Sequence, residues 1–274
     1  MSDELDLNLA ASLDRIDRLF VRWENRAPGD VALRLRPGKD ARFGWTVWGL
    51  VSHVYAQAAR IRPLLNQGEG IELAPVARSM FECALRAQWL VSRGPKALPG
   101  FLQAGARQRY NLGNSMLQAG WVGMTPEILE RLQEQTPSAG DLAAQAKSFE
   151  RMLDDFVAGK VLYTIYRLFS GMSHASIAIV DAYVHEDEAS GAISLRSRAD
   201  VQGAEATWSW TVVLSMLWAW AALDWITDKS PDRHFLKALS REVGTTPTLE
   251  LTAEAARLAW LDEQNASRRP RTRG

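Results

Sequence analysis

The chain has 274 residues, of which 47% are apolar and 23% charged, with 32 basic and 32 acidic side chains in balance. That composition excludes a disordered chain and leaves ample material for a buried core. Zero net charge gives no global field for nucleic acid, so RNA binding requires a local patch. One cysteine, Cys83, excludes an internal disulfide and a cysteine-based zinc cluster, and suits a reducing cytoplasm. The first residues are acidic where a secretory leader is basic and then apolar, which also points to a cytoplasmic protein. Arginine outnumbers lysine 26 to 6, a bias that suits forked ion pairs or phosphate contacts, or a GC-rich genome.

Residues 3–25 carry Leu5, Leu9, Leu13, Ile16, Phe20 and Trp23 at helical spacing. Ala27-Pro-Gly-Asp30 stops that helix. A second helix is expected over 45–66, with Trp48, Val51, Tyr55 and Ala58 inward, His53 off the stripe and Pro63 at its end. The third, 72–92, has Pro75 in its first turn. Arg78, Glu82 and Arg86 lie four apart on it, a spacing suited to ion pairs whether the role is functional or structural. A fourth helix is expected at 101–119, with Arg107 and Arg109 outward. Thr125-Pro-Glu127 is a cap, a first-position proline and an acid at the positive helix end. Ser138 opens a further helix to about Phe156, and another covers 160–184. Ala192–Arg198 reads as a short extended piece.

Residues 206–223 contain no charge over 18 positions; Trp208, Thr211, Ser215, Trp218, Ala222 and Trp225 form one stripe, and Trp210, Leu214, Leu217 and Ala221 another. A helix apolar all round is either a core helix or a membrane span. Thr207, Ser209, Thr211 and Ser215 dilute it and no Arg/Lys bias flanks it, so the core placement is favoured and a membrane role is not. Ser230-Pro-Asp232 caps the next helix, and Thr246-Pro247 starts the last. The tail at 267–274 is expected to be disordered. The organisation expected is one all-α globular bundle of about eight or nine helices over 1–266, its core at 45–228 and its centre the Trp-rich helix.

No nucleophile elbow, phosphate loop, dinucleotide fingerprint or His-Glu-x-x-His occurs. The densest polar run in an apolar helical pattern is Tyr163-Thr-Ile-Tyr-Arg-Leu-Phe-Ser-Gly-Met-Ser-His174. In a straight helix Tyr163, Arg167, Ser170, Gly171 and His174 share a face, with Arg167 and His174 about 10 Å apart along the axis. A guanidinium holds a phosphate or carboxylate by paired bonds, and an imidazole moves protons near neutral pH. Arg167 and His174 are therefore the candidate catalytic pair, supported by Arg78, Glu82, Tyr163, Tyr166, Ser170 and Ser173. The same residues also suit a buried network with Arg167 paired to Glu82. A third arrangement, His174, Asp181 and His185 on one helix face, would be a metal site of the helical-bundle kind; it lacks the Glu-x-x-His pairs, so no metal or cofactor is expected.

The Arg78-x-x-x-Glu82 helix followed by Tyr163-x-x-Tyr166-Arg167-x-x-Ser170-x-x-x-His174 resembles a bacterial family of helical proteins of unknown function, over about residues 45–225. The resemblance implies a polar cluster built from those two helices. Arg167 and His174 with six residues between them are also similar to the Arg–His motif of HEPN ribonucleases, although Leu168 stands where those often carry a polar residue. That resemblance implies a metal-independent RNase or toxin-type, phage-defence module. Arg167 would hold the scissile phosphate, and His174 would assist attack by the RNA 2′-hydroxyl, across a homodimer. The alternative is a non-catalytic helical protein that binds a ligand or a protein partner through the same cluster.

Overall fold

The computed structural model describes residues 8–26, 34–36, 40–67, 70–138, 140, 142–187, 190–199 and 204–268. They form twelve α-helices, one 3-10 turn and two short strands, so the all-helical expectation holds with more helices than eight or nine. In chain order these are α1 (Leu9–Arg26), α2 (Ala41–Leu65), the 3-10 turn Ile71–Leu73, α3 (Ala74–Arg93), α4 (Ala97–Gln118), α5 (Pro126–Glu134), α6 (Ala143–Lys147) and α7 (Phe149–Leu153). There follow α8 (Gly159–Ser173), α9 (Ile177–Tyr183), β1 (Val184–Glu186), β2 (Ile193–Leu195), α10 (Ala204–Ile226), α11 (Arg233–Glu242) and α12 (Ala253–Arg268). Two compact units result: Met1–Gln88 with Val161–Leu249, and Trp89–Lys160 with Glu250–Gly274.

In the first unit α10 is the hub. Every described side chain from Thr211 to Asp224 is buried, because the uncharged run presents apolar groups in all directions. Two of its hydroxyls bond within the helix: Thr211 Oγ1 donates to the Thr207 carbonyl at 2.9 Å and Ser215 Oγ to that of Thr211 at 2.7 Å. The helix has the length and hydropathy to cross a membrane, but 83% of its apolar window is buried in the protein, as a core helix requires. Its tryptophans anchor the surrounding helices. Trp220 stands edge-on to Trp23 of α1 and Tyr55 of α2, whose rings stack at 4.3 Å. Trp218 meets Phe81 of α3 at 6.2 Å, and Trp208 meets Phe169 of α8 at 4.8 Å. Well-arranged aromatic pairs add about 0.5–1.5 kcal/mol each beyond their buried area.

Gln88, near the end of α3 and buried, fastens the irregular segment that follows α11. Its Nε2 donates to the Trp218 carbonyl at 2.7 Å and the Pro247 carbonyl at 3.0 Å, while its Oε1 accepts from the Leu249 amide at 3.1 Å. Trp218 Nε1 adds a bond to the Thr246 carbonyl at 2.9 Å. These bonds hold 246–249 out of a helix, so Thr246-Pro247 does not start the last one. Thr252 does, its Oγ1 accepting from the Ala255 amide.

The second unit builds on α4, the helices α5 to α7, and α12. Thr125 caps α5 as expected, accepting from the Ile128 amide with Pro126 next in line. The helix expected from Ser138 to Phe156 is instead two, α6 and α7. Ser148 takes an extended conformation between them and its hydroxyl accepts from the Arg151 amide, the competition by which serine favours caps over helix interiors. Trp89 Nε1 donates to Asp155 Oδ2 at 2.8 Å, and Arg93 Nη1 to the Ala255 carbonyl at 2.8 Å. Gly159 opens α8 with no room for a side chain: an added Cβ would collide with the Leu153 carbonyl oxygen. The expectation of a disordered tail falls on 269–274, outside the described residues; α12 itself runs to Arg268.

Replacing Gln88 by Ala removes two donated bonds and one accepted bond. We expect a loss of about 2–4 kcal/mol in urea-induced unfolding. A loss under about 0.5 kcal/mol would mean that Gln88 does not hold the 246–249 segment.

Candidate functional site

The polar run Tyr163–His174 is not one straight helical face. α8 ends at Ser173, residues 174–176 form a bend, and α9 begins at Ile177. The cause is local. Ser173 Oγ donates to the Phe169 carbonyl and Ser176 Oγ to the Gly171 carbonyl, each at 2.6 Å. The second of these bonds takes the carbonyl that the Ala175 amide would need to continue the helix. Ser176, at φ −141 and ψ 167, then starts α9 from extended backbone. Arg167 therefore lies on α8 and His174 in the bend after it.

Within α8, Leu162 and Phe169 face the core and are buried. Tyr163, Tyr166, Ser170 and Ser173 lie half-buried on the flanks of that face. Arg167, Leu168 and Gly171 face outward, and a Cβ at Gly171 would touch nothing within 4 Å. His174 is also exposed. Among the described residues neither Arg167 nor His174 has a hydrogen-bond or ion-pair partner.

The supporting residues divide into two groups. Arg78 of α3 reaches α8: its Nη2 donates to the Tyr166 hydroxyl at 2.5 Å and its guanidinium lies 4.8 Å from the centre of that ring. Tyr166 stacks on Tyr163, centroids 6.0 Å apart. The Nε of Arg78 is buried without an acceptor among the described residues. Glu82, by contrast, stays on its own helix. Arg86, one turn on, donates to Glu82 Oε1 through Nη2 at 2.9 Å and Nε at 3.1 Å. The expected Arg167–Glu82 pair does not form, because a guanidinium at i+4 reaches the carboxylate first.

Two further features frame this cluster. Tyr183, at the end of α9, donates to Glu72 Oε1 at 2.5 Å and ties α9 to the turn before α3. Partial burial works against the Glu72 carboxylate, yet the Tyr183 bond and local backbone amides hold its pKa below the usual value. This tie escaped the sequence reading, since neither residue belongs to a periodic or motif pattern. Cys83 is half-buried; desolvation, and then the Glu82 carboxylate, push its thiol up to about 11, so it is a thiol and not a nucleophilic thiolate at neutral pH.

His174, Asp181 and His185 fall in the bend, in α9 and in β1, so they do not form one helix face as the metal arrangement requires. Among the described residues no group of three or more His, Cys, Asp or Glu is placed to hold a metal ion. Residues 184–186 pair antiparallel with 193–195, so the extended piece expected near 192–198 is one arm of a hairpin.

The fold and the cluster define an all-helical protein with an arginine–tyrosine junction between two core-anchored helices and an outward-facing arginine and histidine beside it. The chain belongs to a family of unknown function, DUF5677, whose model matches residues 45–192. The match contains both helices of the cluster and ends before α10. No curated protein and no solved structure matches the chain.

Substitution separates the two groups. Tyr166→Phe removes the acceptor for Arg78, and we expect a loss of about 1–2 kcal/mol in unfolding free energy. Arg167→Ala and His174→Ala, at exposed and unpartnered positions, are expected to stay within about 0.5 kcal/mol of the parent protein. A large loss for either would place it in a structural network instead.

Proposed function

We propose that the outer face of α8, with the bend that follows it, is the working surface of a HEPN-like, metal-independent ribonuclease that acts as a homodimer. The observation that supports this most is that Arg167 and His174 are both solvent-facing and unpartnered among the described residues. A guanidinium and an imidazole that are committed to no intramolecular bond stay available to a phosphate and a hydroxyl from outside. The surroundings suit a second copy of the chain: Val161 is 63% exposed, Leu168 47%, Ile177 72% and Val180 52%. The open position at Gly171 leaves room for the close approach of another backbone.

In this reading Arg167 pairs with the non-bridging oxygens of the scissile phosphate. His174 of one copy takes the proton of the ribose 2′-hydroxyl, whose oxygen attacks the adjacent phosphorus. As the O2′–P bond forms the P–O5′ bond breaks, and the leaving oxygen takes its proton from the imidazolium of the other copy, which gives a 2′,3′-cyclic phosphate and a 5′-hydroxyl. Arg78, Tyr166 and Tyr163 keep α8 in position and do not touch substrate.

A non-catalytic reading, in which the same face binds a different protein, is favoured by the same apolar residues, Leu168 in particular. The two separate in one assay. Single-stranded RNA is incubated with the protein in EDTA, and the ends formed are analysed. The nuclease reading expects cyclic phosphate ends from the parent protein and a rate about 10²-fold lower for His174→Ala. Equal cleavage by both proteins, or none by either, overturns it and leaves the partner-binding surface.

A further inference from the structure

The first unit holds a cavity of about 220 Å³ between the end of α10, the side of α11 and the segment that Gln88 fastens. It shares no residue with the α8 face and lies outside residues 45–192. Arg233 and Lys237, one turn apart on α11, both line it. Among the described residues neither side chain has an ion-pair or hydrogen-bond partner. The one carboxylate in the lining, Asp224, is 3% exposed and accepts from the Asp232 amide at 3.0 Å. Two cations thus face one acid whose Oδ1 is already engaged. The remaining walls include Trp225 and Pro247.

A second, independent feature marks the rim. Lys229 at φ 61 and Ser230 at φ 42 are consecutive non-glycine residues in the left-handed region, a conformation that side chains disfavour and that clusters at ligand sites. The rest of the fold enforces it. Ser230 Oγ donates to the Asp224 carbonyl at 3.0 Å and accepts from Arg36 Nη2 at 2.5 Å, while Arg36 Nε bonds the Thr227 carbonyl at 3.3 Å. Arg36 also covers Trp225, 5.4 Å from the ring centre. The strained turn therefore fixes the rim of the cavity and the orientation of the indole together.

We propose that this cavity binds a small organic carboxylate with a flat apolar body. The carboxylate pairs with Arg233 and Lys237, and the body lies against Trp225 and Pro247. A compact anion suits the excess of positive charge, and a flat ring suits an indole wall. A nucleic-acid strand does not fit a cavity of this size.

The test is calorimetric titration of the full chain with benzoate, with benzyl alcohol as the neutral analogue of the same shape. Both are repeated on Arg233→Gln/Lys237→Gln, whose exposed sites leave the melting temperature unchanged. We expect benzoate to bind the parent protein with a millimolar or tighter dissociation constant, and the double variant and benzyl alcohol each to weaken binding at least about tenfold. No benzoate binding in the millimolar range, equal affinity in the double variant, or equal affinity for benzyl alcohol would each overturn the proposal.

Discussion

The packing of α10 tryptophans against aromatic rings on the site helices is the constraint on which the first unit depends. Phe169 is fully buried, 4.8 Å from Trp208, and Phe81 lies 6.3 Å from Phe169 and 6.2 Å from Trp218. These contacts set the rotation of α3 and α8 about their own axes. Once Phe169 points inward, Arg167 and Gly171, on the far side of a helix with 3.6 residues per turn, must point outward. Once Phe81 points inward, Arg78 is brought to the flank where Tyr166 meets it. The polar arrangement follows from the apolar one.

That geometry separates groups the sequence places side by side. Arg78 and Tyr166 form a half-buried junction whose guanidinium is committed to a hydroxyl and a ring face. Glu82 is neutralised by Arg86. Arg167 and His174, only a turn or so beyond, have no such commitment among the described residues. The half-buried cluster is bonded between its helices, and the pair beside it is open to solvent. The strained rim at Lys229 and Ser230 is a different kind of feature: a local conformational cost carried by the bonds of Arg36, next to a cavity lined by two cations and one carboxylate.

The legible features were those that depend on neighbours in sequence. The burial of α10 follows from its uncharged composition, and the start of α5 from Thr125-Pro-Glu127. The Arg86–Glu82 pair follows from i,i+4 spacing. What the sequence hid depends on competition or on distant partners. Ser148 and Ser176 break apparent helices because their hydroxyls bond backbone groups, an outcome periodicity does not register. Thr246-Pro247 looks like a helix start, but Gln88, about 160 positions earlier, takes the Pro247 carbonyl and the Leu249 amide. Val184 of β1 reads as the end of a helix until residues 193–195 pair with 184–186. The site was legible as residues and not as an arrangement: the polar set on α3 and α8 was visible, but its division into a committed half and an open half required the exposure of each side chain.

The proposed nuclease requires a second copy of the chain on the outer face of α8. Sedimentation velocity of the parent protein and of Leu168→Glu, at micromolar concentration, tests it most directly. The account predicts a dimer for the parent and a monomer of unchanged helicity for the variant, since a carboxylate at a self-matching interface meets its own copy. A parent protein that sediments as a monomer, or a variant that remains a dimer, would contradict it.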